Sequence, residues 1–322
     1  MLSKSYNVVW IGREFPFKFS LLNFFYVLLS EFLELLVNYG KARFSTILVQ
    51  FISLDALVAL LFKRLFGTKT VLFAIGSDVL RSHEQIFAYP VVKHVISKSD
   101  VIFCVSPLIE DRLKQMGADL SKIKLISSLV DFDDFQKYNG PKEYDLITVG
   151  SLDINKNQML LLDACKLLPH EIRGLVIGNG MMRENLEINA RTYNLNVSFI
   201  GSVSHWEVFQ KLQRAKVYVH TSRSEGLPVA VLEAFFVGLP VIVVESPYVS
   251  ILKEYYGFQV NVAEPDSPED LAKRITKVLN NYTVELQYST LNKEVVSKMV
   301  SDLPDNVIEI LNEIEQNVKN RS

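Results

Sequence analysis

Short apolar runs alternate with longer amphipathic stretches along most of the chain. The runs at 46–50, 70–74 and 241–244 predict buried strands, whereas the periodicity at 21–38 and 54–66 predicts helices. Strands that alternate with helices of this length are typical of a doubly wound, mostly parallel α/β sheet. The pattern therefore predicts an α/β protein.

The stretch 217–244 predicts a strand, a loop, a helix and a second strand in succession. The helix, over 229–237, follows Pro228 and stops at Gly238, positions where proline and glycine suit the two ends of a helix. The loop 222–228 then lies at the carboxyl end of a parallel strand, which is the usual place for a ligand in an open α/β sheet. The free backbone amides near Gly226 and Leu227 suit an anion such as phosphate.

Glu233 is the only charged residue between Leu227 and Val244. An unpaired buried charge is very costly, so this carboxylate either turns to solvent or is buried against a partner. Glu225 lies at the tip of the preceding loop, and seven residues separate the two carboxylates. The pair indicates a binding site; the alternative is a solvated loop glutamate and a helix glutamate in a chance ion pair.

The run Ser-Glu-Gly-Leu-Pro at 224–228, followed by Glu233 and by Gly-Leu-Pro-Val-Ile-Val at 238–243, resembles the E-x7-E signature of retaining GT-B glycosyltransferases of group 1. In that family the first Glu contacts the donor sugar and the second holds the ribose hydroxyls. The resemblance implies a GT-B fold with two Rossmann-like domains facing across a cleft. It also implies transfer of a sugar, with retained configuration and without a metal or cofactor, from a nucleotide sugar such as a UDP- or GDP-sugar. The acceptor hydroxyl would belong to a glycan, a lipid-linked molecule or a small molecule.

The same resemblance assigns further residues on the donor side. Lys156, in the loop 150–157, matches the lysine that holds the donor diphosphate, although a solvated loop lysine is the alternative. Ser151 stands where the family commonly has an arginine, which leaves one cation there. The remaining donor-side positions are loop and strand-end residues: Gly12, Gly178, Gly180, Ile200, Gly226, Leu227 and Pro228. For Gly12, a plain turn at the end of the strand 6–12 is equally compatible with the sequence.

Asp78 is the candidate residue on the acceptor side. Gly76-Ser77-Asp78 resembles a Gly-x-Asp turn of the family, in which a histidine often precedes the glycine, but Ile75 occupies that position here. Asp78 either binds the acceptor or caps a helix that starts at Val79.

The polar, turn-rich stretch 137–143 predicts a domain boundary. We expect an abbreviated acceptor-side domain over 1–140, joined by a terminal helix over 303–322, and a nucleotide-sugar-binding domain over 141–302. Asp131 and Asp133 superficially resemble an Asp-x-Asp metal motif. Their position, after a strand and before the boundary, instead resembles a turn of GT-B chains, so no metal is assigned.

Charge, cysteine content and hydrophobicity narrow the expected partners and the cellular environment of the chain. The chain has 322 residues and a formal net charge of −2, which argues against a nucleic-acid binder. Two cysteines in apolar contexts favour a reducing, cytoplasmic environment. The stretch 15–37 is dense in Phe and Leu, but Lys18, Glu31 and Glu34 interrupt it, so a membrane-spanning helix is not expected. Packing on the sheet is favoured, and peripheral contact with the inner face of a membrane is the alternative.

Two other functions remain compatible with the sequence. Ile75, Ser151 and the short N-terminal region favour a non-catalytic GT-B subunit that binds a nucleotide sugar or a partner enzyme. A sugar-nucleotide epimerase would need an acid/base pair, and none is evident. Of the five histidines, which have no metal-ligand spacing, His220 is the one to examine because it ends the strand before Glu225.

Overall fold

The structure is a computed structural model that describes residues 21–41, 43–50, 52, 56–80, 89–126, 135–301, 307 and 309–313; for 21–27 and 77 it describes the backbone alone. The predicted strand over 6–12 with Gly12, the aspartates at 131 and 133, and most of the predicted terminal helix lie outside these residues. The chain divides into two compact units, one of residues 1–129 and 302–322 and the other of residues 130–301. The predicted boundary at 140–141 lies inside the second unit.

The described part of the first unit alternates helices and strands as the hydrophobic pattern predicts. Its strands form a parallel sheet in the order β1-β2-β3-β4. Its elements are α1 (Leu21–Lys41), β1 (Thr46–Gln50), α2 (Ala56–Phe66), β2 (Lys69–Ala74), α3 (Ser77–Leu80), α4 (Tyr89–Lys98), β3 (Val101–Cys104), α5 (Pro107–Gln115) and β4 (Ile123–Leu125).

The second unit repeats this alternation over a longer sheet. A five-residue π-helical turn, Ile251–Tyr255, interrupts the pattern near its end. The elements are β5 (Tyr144–Val149), α6 (Gln158–Cys165), β6 (Gly174–Ile177), α7 (Arg183–Thr192), β7 (Val197–Phe199), α8 (His205–Gln213), β8 (Ala215–His220), α9 (Val229–Phe236), β9 (Val241–Val244), α10 (Pro247–Ser250), β10 (Asn261–Ala263), α11 (Pro268–Asn280) and α12 (Tyr282–Ser301).

The sheet of the second unit is parallel throughout, with the strand order β10-β9-β8-β5-β6-β7. Chain order therefore reverses where β5 lies beside β8, which is the topological switch point of a doubly wound sheet. Ligands of such sheets bind outside the carboxyl ends of the strands at this point. The loop that follows β5 and the loop that follows β8 consequently meet there.

Apolar side chains of the central strands are buried on both faces of this sheet. On one face, Leu146, Val217 and Ile242 pack with Leu161 of α6 and Ile275 of α11. Because side chains alternate along a strand, Tyr218 and His220 share the opposite face of β8, where both are also buried. Helix α9 ends as predicted, with Gly238 in the left-handed region at a φ of 79°.

No helix within the described ranges is both long enough and apolar enough to cross a membrane.

Candidate functional site

Hydrogen bonds connect the loop after β5 to the loop after β8 at the switch point. The Asn155 amide donates to the carbonyl oxygen of Ser224 at 2.9 Å, and the backbone N–H of Arg223 donates to the carbonyl oxygen of Asn155 at 2.9 Å. The Thr221 hydroxyl donates to the carbonyl oxygen of Lys156 at 2.7 Å. These bonds bring Lys156 and the loop that carries Glu225 to one edge of the sheet.

Glu225 lies between two nitrogen donors at this edge. Its Oε1 accepts from Lys156 Nζ at 2.5 Å and lies 3.2 Å from His220 Nε2. Burial alone would raise the pKa of Glu225, but His220 and Lys156 outweigh it and hold the pKa at about 2. Glu225 is therefore a carboxylate at neutral pH, and its side chain is still 14% exposed.

Glu233 lies on α9 and is 5% exposed. Its Oε1 is 2.7 Å from Nε2 of His205, which is the first residue of α8. The side chain of His205 is 48% exposed. Burial raises the pKa of Glu233, and the contact with His205 opposes that rise. Of the two outcomes expected for a carboxylate in an apolar run, burial against a partner is the one observed.

The glycines after β6 allow two loops to approach each other through their backbones. Gly178 has a φ of 137°, and a Cβ there would lie 1.8 Å from the carbonyl oxygen of Gly150. A Cβ on Gly180 would lie 2.3 Å from the carbonyl oxygen of Leu152. No side chain fits at either place, so both positions require glycine. Ile200, which follows β7, donates its N–H to a carbonyl of the neighbouring strand β6.

Two polar residues singled out in the sequence, Ser151 and Asp78, form hydrogen bonds with other groups of the protein. The Ser151 hydroxyl donates to Asp153 Oδ2 at 2.6 Å, and Asp153 Oδ1 also accepts the backbone N–H of Lys156 at 2.9 Å. Asp78, in the first unit, is buried within helix α3, which begins at Ser77 and not at the predicted Val79.

The Asp78 carboxylate faces the backbone. It accepts N–H groups of Ile52 at 3.0 Å, Gly76 at 2.7 Å and Ile75 at 3.4 Å. Burial raises the pKa of Asp78, and these backbone bonds oppose the rise. The predicted role of Asp78 toward an acceptor stays a prediction, as does the role of Gly12.

The structure adds residues that sequence reasoning missed. Asn155 and Thr221 join the two loops, His205 contacts Glu233, and Tyr218 contacts His220. Asn155 could have been noticed because it adjoins Lys156, whereas no pattern in the sequence relates His205 to Glu233. Within the described ranges, no group of three or more His, Cys, Asp or Glu side chains could hold a metal ion.

Comparison with known proteins places this site in a family. Residues 130–294, slightly more than half of the chain, match the family described as glycosyl transferases group 1. The chain belongs to this family. The matched region contains the whole switch-point edge, including Lys156, Glu225 and Glu233.

Several curated relatives resemble the group 1 chain over about half to three quarters of its length. An uncharacterised glycosyltransferase of Methanocaldococcus jannaschii is 27% identical over 75% of this chain and 67% of its own. An undecaprenol-PP-linked glycan α-1,4-N-acetyl-D-galactosaminyltransferase of Campylobacter jejuni is 28% identical over 52% of this chain and 48% of its own. An Escherichia coli UDP-Gal:α-D-GlcNAc-diphosphoundecaprenol α-1,3-galactosyltransferase is 26% identical over 62% of this chain and 57% of its own. The chain thus spans about half to two thirds of the length of these relatives.

Solved structures show the same fold. HepE of Anabaena, in complex with UDP and glucose, superposes with a TM-score of 0.77 at 16% identity, covering 88% of this chain and 82% of its own. Sucrose-phosphate synthase of Thermosynechococcus elongatus gives a TM-score of 0.78 at 18% identity, with coverage of 95% and 81%. The predicted GT-B fold is confirmed by these likenesses and by the two parallel-sheet units.

Proposed function

We propose that this group 1 glycosyltransferase moves a sugar from a nucleotide-sugar donor to an acceptor hydroxyl, with retention of anomeric configuration and without a metal. The observation that carries the proposal is the placement of Lys156, Glu225 and Glu233 around one switch-point edge. An ammonium group suits a diphosphate, an ionised carboxylate suits sugar hydroxyls, and a buried carboxylate on the adjoining helix suits a ribose diol.

The chemistry needs little more than positioning and charge stabilisation. The acceptor oxygen forms a bond to the anomeric carbon while the bond from that carbon to the diphosphate oxygen breaks. The diphosphate leaves with the electron pair, and the acceptor proton passes to one of its oxygens. Lys156 and the backbone N–H groups at the start of α9, near Gly226 and Leu227, would stabilise the charge that develops on the leaving group. Glu225 would hold the transferred sugar, and Glu233 the ribose.

The relatives favour a UDP-sugar donor and a lipid-linked acceptor. The Escherichia coli relative is named for UDP-Gal and a diphosphoundecaprenol-linked acceptor, and the Campylobacter jejuni relative for an undecaprenol-PP-linked glycan. We therefore propose a glycan on a polyprenol diphosphate as the acceptor class and glycoconjugate synthesis as the process.

A panel of UDP- and GDP-sugars tests the donor. We expect one of them to raise the melting temperature, since a ligand of the native state raises apparent stability. The stabilising donor is then incubated with undecaprenol-PP-linked acceptors, with and without EDTA, and the anomeric configuration of the product is read by NMR. Stabilisation without transfer or donor hydrolysis would instead identify the non-catalytic subunit. Conversion of the donor without an acceptor would identify an epimerase.

An exposed apolar stripe on α1 favours contact with a cytoplasmic membrane face that carries such acceptors. Leu29, Leu33 and Val37 are each at least half exposed at a spacing of four residues, and Lys41 and Arg43 follow them. Pelleting with phosphatidylglycerol vesicles, compared with phosphatidylcholine vesicles, tests the contact. Leu33→Glu should reduce pelleting, whereas Leu120→Glu, at an equally exposed leucine, should not.

A further inference from the structure

A chain of buried polar groups runs from Glu225 into the sheet beneath it. Glu225 Oε1 lies 3.2 Å from His220 Nε2, and His220 Nδ1 lies 3.2 Å from the Tyr218 hydroxyl. The hydroxyl also lies 3.3 Å from the carbonyl oxygen of Val149, at the end of β5. His220 is 3% exposed and Tyr218 is fully buried. Polar groups buried this deeply are costly unless each is hydrogen-bonded, and here each bonds the next.

The contacts decide which imidazole nitrogen carries the proton. Burial lowers the pKa of His220 and so favours the neutral ring. A carboxylate oxygen only accepts hydrogen bonds, so His220 Nε2 must carry the hydrogen that faces Glu225. Nδ1 of the neutral ring then has a lone pair, and the Tyr218 hydroxyl, which donates to the carbonyl oxygen of Val149 at 3.3 Å, shares its one hydrogen with this nitrogen. Tyr218 therefore fixes the tautomer with which His220 donates to Glu225.

In the proposed reaction Lys156 serves two acceptors, so it does not by itself fix the position of Glu225. In the structure its ammonium group bonds Glu225 Oε1 at 2.5 Å, but the same group is the proposed ligand of the donor diphosphate. When the diphosphate binds, the ammonium group is shared with or transferred to the phosphate oxygens. His220 is fixed on β8 and buried, so its bond to Glu225 persists.

We infer that His220 is a positioning residue that holds Glu225 in its donor-sugar-binding orientation while Lys156 binds the diphosphate, and that Tyr218 fixes its tautomer. This inference rests on the proposed function. Glu225 Oε1 is taken by His220, which leaves Oε2 to the hydroxyl groups of the sugar. UDP lacks the sugar, so binding of UDP does not depend on His220.

A matched pair of variants separates the hydrogen bond that residue 220 donates to Glu225 from the packing of its side chain. In His220→Gln the side-chain amide can still donate to Glu225, whereas in His220→Met a chain of the same length cannot. With the nucleotide sugar that the wild type turns over, we expect His220→Met to lower kcat about 10- to 100-fold and His220→Gln to recover most of it. Tyr218→Phe should lower kcat less. Affinity for UDP, measured by calorimetry, should stay near the wild-type value in all three variants and so report an intact nucleotide site.

Equal kcat for the Gln and Met variants would overturn the inference, as would a loss of UDP affinity equal to the loss of kcat. The tautomer is tested without any turnover, by nitrogen-15 NMR of histidine-labelled wild type with the His220→Gln variant to assign the signal. We expect a protonated Nε2 and an unprotonated Nδ1, with and without UDP. The opposite tautomer contradicts the inference even if the chain is an active transferase. A wild type that turns over no donor contradicts only the proposed function.

Discussion

The loop after β8 and the helix α9 each carry one carboxylate, and the two are held in opposite ways. Glu225, on the loop, faces an ammonium group and a buried imidazole, and its pKa is held at about 2. Glu233, on the helix, is more deeply buried and contacts a half-exposed imidazole, and burial raises its pKa. The two side chains are of the same type and belong to the same motif.

The difference reflects how many donors reach each carboxylate. Two nitrogen donors offset the desolvation of Glu225, so its ionised form is favoured in the folded chain. One donor does not offset the desolvation of Glu233, so its ionised form is disfavoured until further donors arrive. The two hydroxyls of a ribose would supply such donors. The comparison therefore indicates that Glu225 is already organised in the chain without a ligand, whereas the carboxylate of Glu233 would gain its remaining donors from the proposed ribose.

The largest expected effect comes from removing the charge on the loop. Glu225→Gln keeps the size of the side chain but loses its charge, so we expect turnover of the nucleotide sugar to fall about a hundredfold or more. Affinity for UDP should change little, because UDP has no sugar for Glu225 to bind. Glu245→Gln, at an exposed position just after β9, is the control. A variant with wild-type turnover would remove Glu225 from the site.

The helix carboxylate should affect nucleotide binding. Glu233→Ala removes the acceptors proposed for two ribose hydroxyls, so we expect UDP to bind about 10- to 100-fold more weakly in calorimetry. The loss should shrink for 2′-deoxy-UDP, which lacks one of those hydroxyls. The exposed Glu264 offers a control substitution by Ala. If the variant lost as much affinity for 2′-deoxy-UDP as for UDP, the ribose assignment would be wrong.

The two carboxylates should also change stability in opposite directions. The folded-state pKa of Glu225 lies below its ordinary value of 4.5, so its contribution is present above about pH 4.5 and is lost as the pH falls toward 2. The folded-state pKa of Glu233 is raised, so its contribution is present at low pH and is lost as the pH rises through that pKa.

Thermal unfolding at pH 7 measures the opposite contributions of Glu225 and Glu233 to stability. Glu225→Gln should destabilise the chain by about 1–3 kcal/mol, because Lys156 and His220 lose a charged acceptor. Glu233→Gln should raise the melting temperature, because it removes a buried charge. The gain for Glu233→Gln should disappear near pH 3, where the wild-type Glu233 is protonated, and the loss for Glu225→Gln should be smaller there than at pH 7. Two shifts of the same sign at pH 7 would show that the carboxylates do not differ as the structure indicates.

Sequence alone predicted the succession of strand, loop, helix and strand over 217–244 well, for a physical reason. Strand β8 is largely buried and β9 is buried on both faces, β9 reads as a continuous apolar run, and α9 is bounded by Pro228 and Gly238. The isolated charge of Glu233 was equally informative, because a carboxylate in such a run needs a partner. These signals are local, so they survive without knowledge of the tertiary structure.

Contacts between distant parts of the chain could not be predicted in the same way. Lys156 and Glu225 are 69 residues apart and meet only because β5 lies beside β8. His205 and Glu233 are 28 residues apart, and no spacing rule relates the first residue of one helix to the middle of another. The predicted helix start at Val79 was wrong because Ser77 already belongs to α3.

The smallest effect, on His205, tests how Glu233 is held before its ligand binds. The His205 ring packs edge-on against Phe209 at 4.7 Å between centroids, and its Nε2 is 2.7 Å from Glu233. His205→Phe keeps the ring but cannot donate, whereas His205→Gln can donate but has no ring. Because one hydrogen bond is lost, we expect His205→Phe to bind UDP about three- to tenfold more weakly than the wild type in calorimetry. The Gln variant should lose less. If the two variants bound UDP equally well, the hydrogen bond would not orient Glu233, and only the ring packing of His205 would matter.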